Sequence, residues 1–163
     1  MQKIYIAGPD VFEKESIEIG EKLSNLCSAY GYEGLYPLDN VIDFKQEKQK
    51  IAKDIYEANI ALIHQADIVI ANLNSFRGYE SDSGTVWECG YAHALGKKVY
   101  GYLSREGAYK EQFKNSLCED GILYDSDALV IEDFDYPLNL MIACSCEAIL
   151  VGGFEDVLQA LKD

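Results

Sequence analysis

The chain has 163 residues, of which 48% are hydrophobic and 26% charged. These are the proportions of a soluble globular protein, and the length suits a single domain over residues 1–163 with one substantial core. Against 14 basic residues stand 28 acidic ones, for a formal net charge of −14, so the surface repels phosphate backbones and anionic lipid. That argues against a nucleic acid polymer or a membrane as partner, and leaves a small, mostly uncharged ligand. No apolar run approaches membrane-spanning length, and MQKIYIAGPD turns polar too quickly for a signal peptide. Five cysteines without framework spacing fit free thiols in a reducing cytoplasm. Cys144-Ser145-Cys146 finds no second Cys/His pair, so no metal site is expected.

The first predicted element is the β-branched and aromatic run Lys3–Ala7, a buried strand ended by Gly8-Pro9. Ile19, Leu23, Leu26, Cys27 and Tyr30 recur at helical spacing up to Gly31. Glu33–Tyr36 reads as a second strand closed by Pro37, and Ile51 to Ala66 as a long helix. Asp67–Leu73 is the clearest buried strand, and the polar loop Asn74–Asp82 leads into another helix. Val99–Leu103 is expected as a strand, Tyr109–Leu117 as a helix and Ala128–Ile131 as a last short strand. Leu138–Cys146 and Phe154–Leu161 look like closing helices on either side of Gly152-Gly153.

Strands alternating with helices predict right-handed βαβ units. The fold class is therefore α/β: a doubly wound, flavodoxin-like or Rossmann-like parallel sheet of about five strands, with helices on both faces. Such sheets bind ligands beyond the carboxyl ends of their strands. That rule nominates Gly8–Phe12, Asn72–Asp82 and the loop after the last strand.

Within SDSGTVWECGYAHALG, Ser81–Gly96, one carboxylate has two readings. Thr85 and Glu88 fit a capping box, with Gly96 as the helix stop. Glu88 also lies near a helix start at the ligand edge, where the dipole favours an ionised carboxylate, the form a nucleophile at a sugar anomeric carbon must take. Asp82 is either a turn or helix-entry residue or a second carboxylate facing the same cleft. Gly84 lets a sugar or phosphate approach the backbone. Tyr5 is a packed strand aromatic or a polar partner in the site, and Phe12, Phe76 and Tyr79 are core residues or a platform for a flat base. Neither GxGxxG nor GxxxxGK[ST] is present, so no dinucleotide or other cofactor is expected.

In order and spacing, IYIAGPDVF at Ile4–Phe12, PLDN at Pro37–Asn40, ADIVIANL at Ala66–Leu73, FRGYESDSGTVWECGYAHALGK at Phe76–Lys97 and NLM at Asn139–Met141 resemble the nucleoside 2-deoxyribosyltransferase family. The resemblance implies transfer of a 2-deoxyribosyl group between purine or pyrimidine bases by a retaining double displacement, in nucleoside salvage. Glu88 falls at the nucleophile, Tyr5 at the tyrosine that orients it and Asp82 at the aspartate that binds the deoxyribose hydroxyls. Asn59 falls at a base-contacting Asp or Asn. Asn139 and Met141 match residues that complete a neighbouring subunit's site, which implies a homo-oligomer with shared sites. Val41 stands where some members carry a base-contacting glutamine, a departure that leaves base preference open. The alternatives are a deoxynucleoside 5′-monophosphate N-glycosidase of the same superfamily, which Asp10 in the first loop disfavours, and a non-catalytic nucleotide-binding module.

Overall fold

The computed structural model describes residues 1–162. Its central sheet is parallel and ordered β2–β1–β3–β4–β7, from Glu33–Leu35 (β2), Lys3–Ala7 (β1), Ile68–Asn72 (β3), Lys98–Leu103 (β4) and Ala148–Val151 (β7). The crossovers carry helices α1 (Ser16–Ala29), α2 (Lys48–Gln65) and α3 (Ser83–Ala94), and α5 (Phe154–Ala160) follows β7. This is the expected α/β architecture, with strand order reversing between β1 and β3. Crevices open at such a switch point because the connections leave it in opposite directions.

Period-two alternation divides the core between two faces. Tyr5, Ala7, Val69, Ala71 and Val99 pack with Ile63 and Ala66 at the end of α2, Cys89 and Ala92 of α3, and Ile142. Ile4, Ile6, Ile68 and Ile70 pack on the other face, against Leu23 and Cys27 of α1 and Phe154, Val157 and Leu158 of α5. The register sets Tyr5 beside Val69 on one neighbour and Leu35 on the other. A shift of one residue would turn Tyr5 away from α3.

Gly31 and Gly96 end α1 and α3 at φ +86° and +73°. In each, the glycine N–H and the next one bond back to helix carbonyls, Gly96 to His93 and Lys97 to Ala92 in the second case. This αL closure is the helix stop that the sequence signals.

The segment between β4 and β7 differs from expectation. Tyr109–Gln112 makes only one 3-10 turn, and Leu117 already opens a hairpin, β5 (Leu117–Glu119) with β6 (Ile122–Tyr124). Asp120 and Gly121, both at positive φ, form its turn. Within Tyr109–Leu117 the helical path already breaks at Phe113, whose ψ of 80° lies outside the helical region. Ala128–Ile131 is no sheet strand; Val130 makes a single bridge to Tyr124. The helix expected over Leu138–Cys146 shrinks to Leu140–Ala143 (α4). The chain must turn there, because Glu147 N–H already bonds Val99 O at 2.8 Å to start the β4–β7 ladder. The fifth strand is therefore Ala148–Val151.

Candidate active site

Glu88 lies in the second turn of α3, on the face that meets the sheet. Tyr5 is fully buried in β1, and its hydroxyl donates to Glu88 Oε1 at 2.7 Å. Asn59 Nδ2, from α2, donates to the same oxygen at 3.5 Å. Among the described residues no hydrogen bond reaches Glu88 Oε2. Two elements, β1 and α2, therefore hold one oxygen of a carboxylate carried by α3 and leave the other open.

Burial is the largest influence on this carboxylate and pushes its pKa up to about 7. The Tyr5 bond opposes the rise, nearby Asp82 adds to it, and the Asn59 bond opposes it again. The expectation of a carboxylate held ionised by the helix dipole is thus corrected. Helix α3 starts at Ser83, so Glu88 lies past the first turn, where the dipole fades. Tyr5 is itself displaced upward, by burial and then by the Glu88 charge, and stays a proton donor in the bond.

The capping-box reading is corrected as well. Asp82 is the N-cap of α3, and its Oδ2 accepts from Thr85 N and Thr85 Oγ1, each at 2.9 Å. Thr85 is buried and donates, rather than capping. This frees Glu88 to turn toward Tyr5. The signal was in the sequence as Asp82-x-x-Thr85, the same spacing begun three residues earlier.

A cavity of about 490 Å³ opens over Glu88 and is lined by Asp82, Gly84, Thr85 and Asn59 as well. Its size is that of a small-ligand pocket. Gly8, Val11 and Phe12 contribute from the turn after β1, and Ser16 and Ile17 from the start of α1. Gly8 is required by close approach: a Cβ there would run into the Asp10 carboxylate and lie 2.9 Å from Asn72 Cβ. Asp10 itself is turned to Asn72 Nδ2, 3.1 Å away, and is not part of the cavity wall.

The strand-end rule did not nominate the wall built after β2, although the PLDN motif begins it, and Ile42 and Phe44 went unnamed. Pro37, Leu38, Asn40, Ile42 and Phe44 line the cavity with Ile55 of α2. Of the three nominated segments, the turn after β1 and the loop after β3 contribute; the loop after the last strand does not. The expected base platform also divides. Phe12 stacks on Phe76 with centroids 5.4 Å apart and 18° between planes, and Arg77 lies 4.7 Å over Phe76. Only Phe12 of this pair reaches the cavity. Tyr79 packs 4.8 Å from Phe113 beside a different recess.

A second recess of about 360 Å³ reaches Glu88 from the outer side, between Tyr56, Ile60 and Ile63 of α2 and Trp87 of α3. Trp87 is 48% exposed and stacks on Tyr91 at 5.2 Å and 9°. Asn139 and Met141 lie outside both spaces. Asn139 caps α4 by accepting from Met141 N at 3.0 Å, and its Nδ2 donates to Glu132 Oε1 at 2.7 Å; Met141 is 73% exposed. Among the described residues no cluster of His, Cys, Asp and Glu has the geometry to hold a metal ion, and no helix is long and apolar enough to cross a membrane.

A doubly wound α/β sheet with a partly buried, tyrosine-held glutamate in a cavity at its switch point fits one class: an enzyme acting on a small organic molecule. The chain belongs to the nucleoside 2-deoxyribosyltransferase family, whose model matches residues 4–141. It is similar to the 2-desoxiribosyltransferase from Leishmania mexicana, at 29% identity and a TM-score of 0.81, over 99% of this chain and 97% of that one. The 2-deoxyribosyltransferase from Bacillus psychrosaccharolyticus shares the fold at 23% identity and a TM-score of 0.61, over 96% and 90% of the two chains. An uncharacterized protein from Schizosaccharomyces pombe is 25% identical over 155 residues, 85% of this chain and 74% of that protein.

Proposed function

We propose that this enzyme moves the 2-deoxyribosyl group of a 2′-deoxynucleoside to another purine or pyrimidine base through a covalent ester on Glu88, as a salvage reaction in the cytoplasm. The observation that carries the reading is the asymmetric hold on Glu88, one oxygen bonded to Tyr5 and Asn59, the other open in a largely apolar cavity. In the first half-reaction Glu88 Oε2 attacks C1′, and the C1′–N bond breaks with its electron pair going to the departing base. In the second, a nitrogen of the incoming base attacks C1′ from the opposite side. The ester C–O bond breaks, the carboxylate is regenerated and the acceptor gives up its N–H proton to solvent, which over the full cycle balances the proton the departing base takes from solvent. Two inversions retain the anomer.

Tyr5 keeps Glu88 oriented and supports its ionised form. Asp82 binds the deoxyribose hydroxyls from the N-cap of α3. Gly84 lets the sugar lie against the helix start, and Phe12, backed by Phe76, faces the base with Asn59 beside it. Asn139 and Met141, which lie apart from their own chain's cavity, complete the pocket of a neighbouring subunit.

The test is incubation with deoxyinosine plus adenine, and separately thymidine plus adenine, with chromatography for deoxyadenosine. Exchange that outruns release of free deoxyribose at saturating acceptor supports the reading. If free sugar dominates there, or only 5′-monophosphates react, the enzyme is an N-glycosidase and the transferase reading falls.

A further inference from the structure

The mouth of the Glu88 cavity exposes more apolar surface than a resting surface needs. Phe44 is 71% exposed, Phe12 60% and Leu38 43%, and all three line the cavity. Isolated exposed apolar residues are ordinary, but a group of them around one concave opening marks a binding surface. Two of these are aromatic and come from separate segments, Phe12 from the turn after β1 and Phe44 from the connection before α2. Stacking on Phe76 fixes Phe12 from behind. Phe44 has no such backing among the described residues.

The segment that carries Phe44 is tied down on either side of the ring rather than at it. Asn40 Nδ2 donates to Pro37 O at 2.9 Å on one side. On the other, Gln46 Nε2 donates to Asp54 Oδ2 at 3.1 Å, and Lys50 Nζ pairs with the same carboxylate. Between these ties Asp43 bonds only locally, to Lys45 N and, through its carbonyl, to Gln46 Nε2. The ring can therefore shift without breaking a long-range bond. A flat base entering beside Phe12 would find Phe44 as the one other aromatic ring in the cavity wall.

We infer that Phe44 is a base-binding residue that closes on the incoming base together with Phe12, and thereby decides whether the glycosyl–enzyme is resolved by base or by water. The inference rests on the transferase reading above. The ligand class is a planar heteroaromatic base, recognised through its faces by stacking, with Asn59 and Asn40 as the polar groups within reach. A base held between two rings displaces water from the opening above C1′. Without the second ring the ester stays open to solvent, and hydrolysis competes.

The experiment measures adenine dependence and product partition for wild type, Phe44→Ala, Phe44→Trp and, as a control off the cavity, Tyr79→Ala. Phe44→Ala is expected to raise the KM for adenine about 10-fold, the scale for losing one base–aromatic stack, and to raise free deoxyribose at fixed acceptor. The rate of ester formation at saturating donor should change less than 3-fold (roughly 0.6 kcal/mol). Phe44→Trp should restore the KM and the partition, and Tyr79→Ala should leave both alone. Unaltered KM and partition in Phe44→Ala, with wild type exchanging normally, overturns the role of Phe44 alone. A wild type that does not exchange overturns the transferase reading instead. Thermal melts of each variant separate these outcomes from misfolding, because Phe44 is exposed and its loss should leave the melt within about 2 °C (order of magnitude for a surface change).

Discussion

Tyr5 and Glu88, 83 residues apart in the chain, meet at 2.7 Å across the β1–α3 interface. A strand residue with no solvent exposure thus holds a helix carboxylate by its only polar atom. Removing that donor while keeping the ring should leave the fold intact and disturb the carboxylate alone. For Tyr5→Phe, the support that lowers the Glu88 pKa is lost, so the acid limb of kcat/KM moves to higher pH. A hydrogen bond to a charged group is worth about 1.5–3 kcal/mol, so the loss at pH 6 should reach roughly 10- to 100-fold and narrow toward pH 9. A pH profile that keeps its shape would remove Tyr5 from this role.

Glu88 carries a stability signature of its own. Its pKa rises from the ordinary 4.5 to about 7 on folding, chiefly because it is buried. A carboxyl shifted upward favours the fold while protonated. Its contribution is therefore full below the unfolded value and is lost as pH rises from about 4.5 through 7. Glu88→Gln, which cannot ionise, should be inactive yet melt several degrees above wild type at pH 8–9, a difference on the order of 3 kcal/mol. At pH 4 the two should converge. Equal melting curves at pH 8–9 would contradict a partly buried carboxylate whose pKa rises on folding.

Asp82 performs two tasks that substitution can separate. Serine caps helices about as well as aspartate, so Asp82→Ser should hold stability within about 0.5 kcal/mol. The carboxylate proposed to bind the sugar is nevertheless gone, and activity should fall at least roughly 10-fold, the scale of one charged hydrogen bond. Asp82→Ala should lose both, with a further stability cost of about 0.5–2 kcal/mol. Full activity in Asp82→Ser would leave Asp82 as a cap and nothing more.

Shared sites can be tested by complementation. Asn139→Ala and Glu88→Ala chains should each be impaired in isolation. Mixed and reassembled, some pockets would receive an intact Glu88 and a neighbour's intact Asn139, and exchange should partly return. Hybrids verified by native mass spectrometry that stay as inactive as the parents would mean each chain builds its own site.

The sheet was legible because its strands are bounded by turn residues and rich in Ile and Val, as in Lys3–Ala7 and Asp67–Leu73. The edge strand Ala148–Val151 was not. Its four residues follow Cys144-Ser145-Cys146-Glu147, and helical spacing from Leu138 runs into them without a break. What ends the helix is the long-range bond of Glu147 to Val99, which local pattern does not carry. Glu88, Tyr5 and Asp82 were named on motifs and Asn59 on its place in the family resemblance alone; the structure brings the four side chains together. Leu38, Ile42 and Phe44 were missed because a loop apolar residue reads alike whether it faces core, solvent or ligand, and Ile55 because an apolar helix position reads first as core. The same ambiguity admitted Tyr79, which packs elsewhere. The cap falls on Asp82 rather than Thr85 for a simpler reason: two overlapping cap spacings share one stretch, and only the helix start chooses between them.

The residue before Glu88 is the chain's one tryptophan, and it borders the outer recess that reaches this carboxylate. Its indole is half-exposed and lies flat on Tyr91, an environment that any occupant of the recess or shift of α3 must alter. The enzyme thus carries a built-in optical reporter one peptide bond from its proposed nucleophile. Emission from Trp87 can follow nucleoside loading and the proposed ester formation in real time, in unlabelled protein.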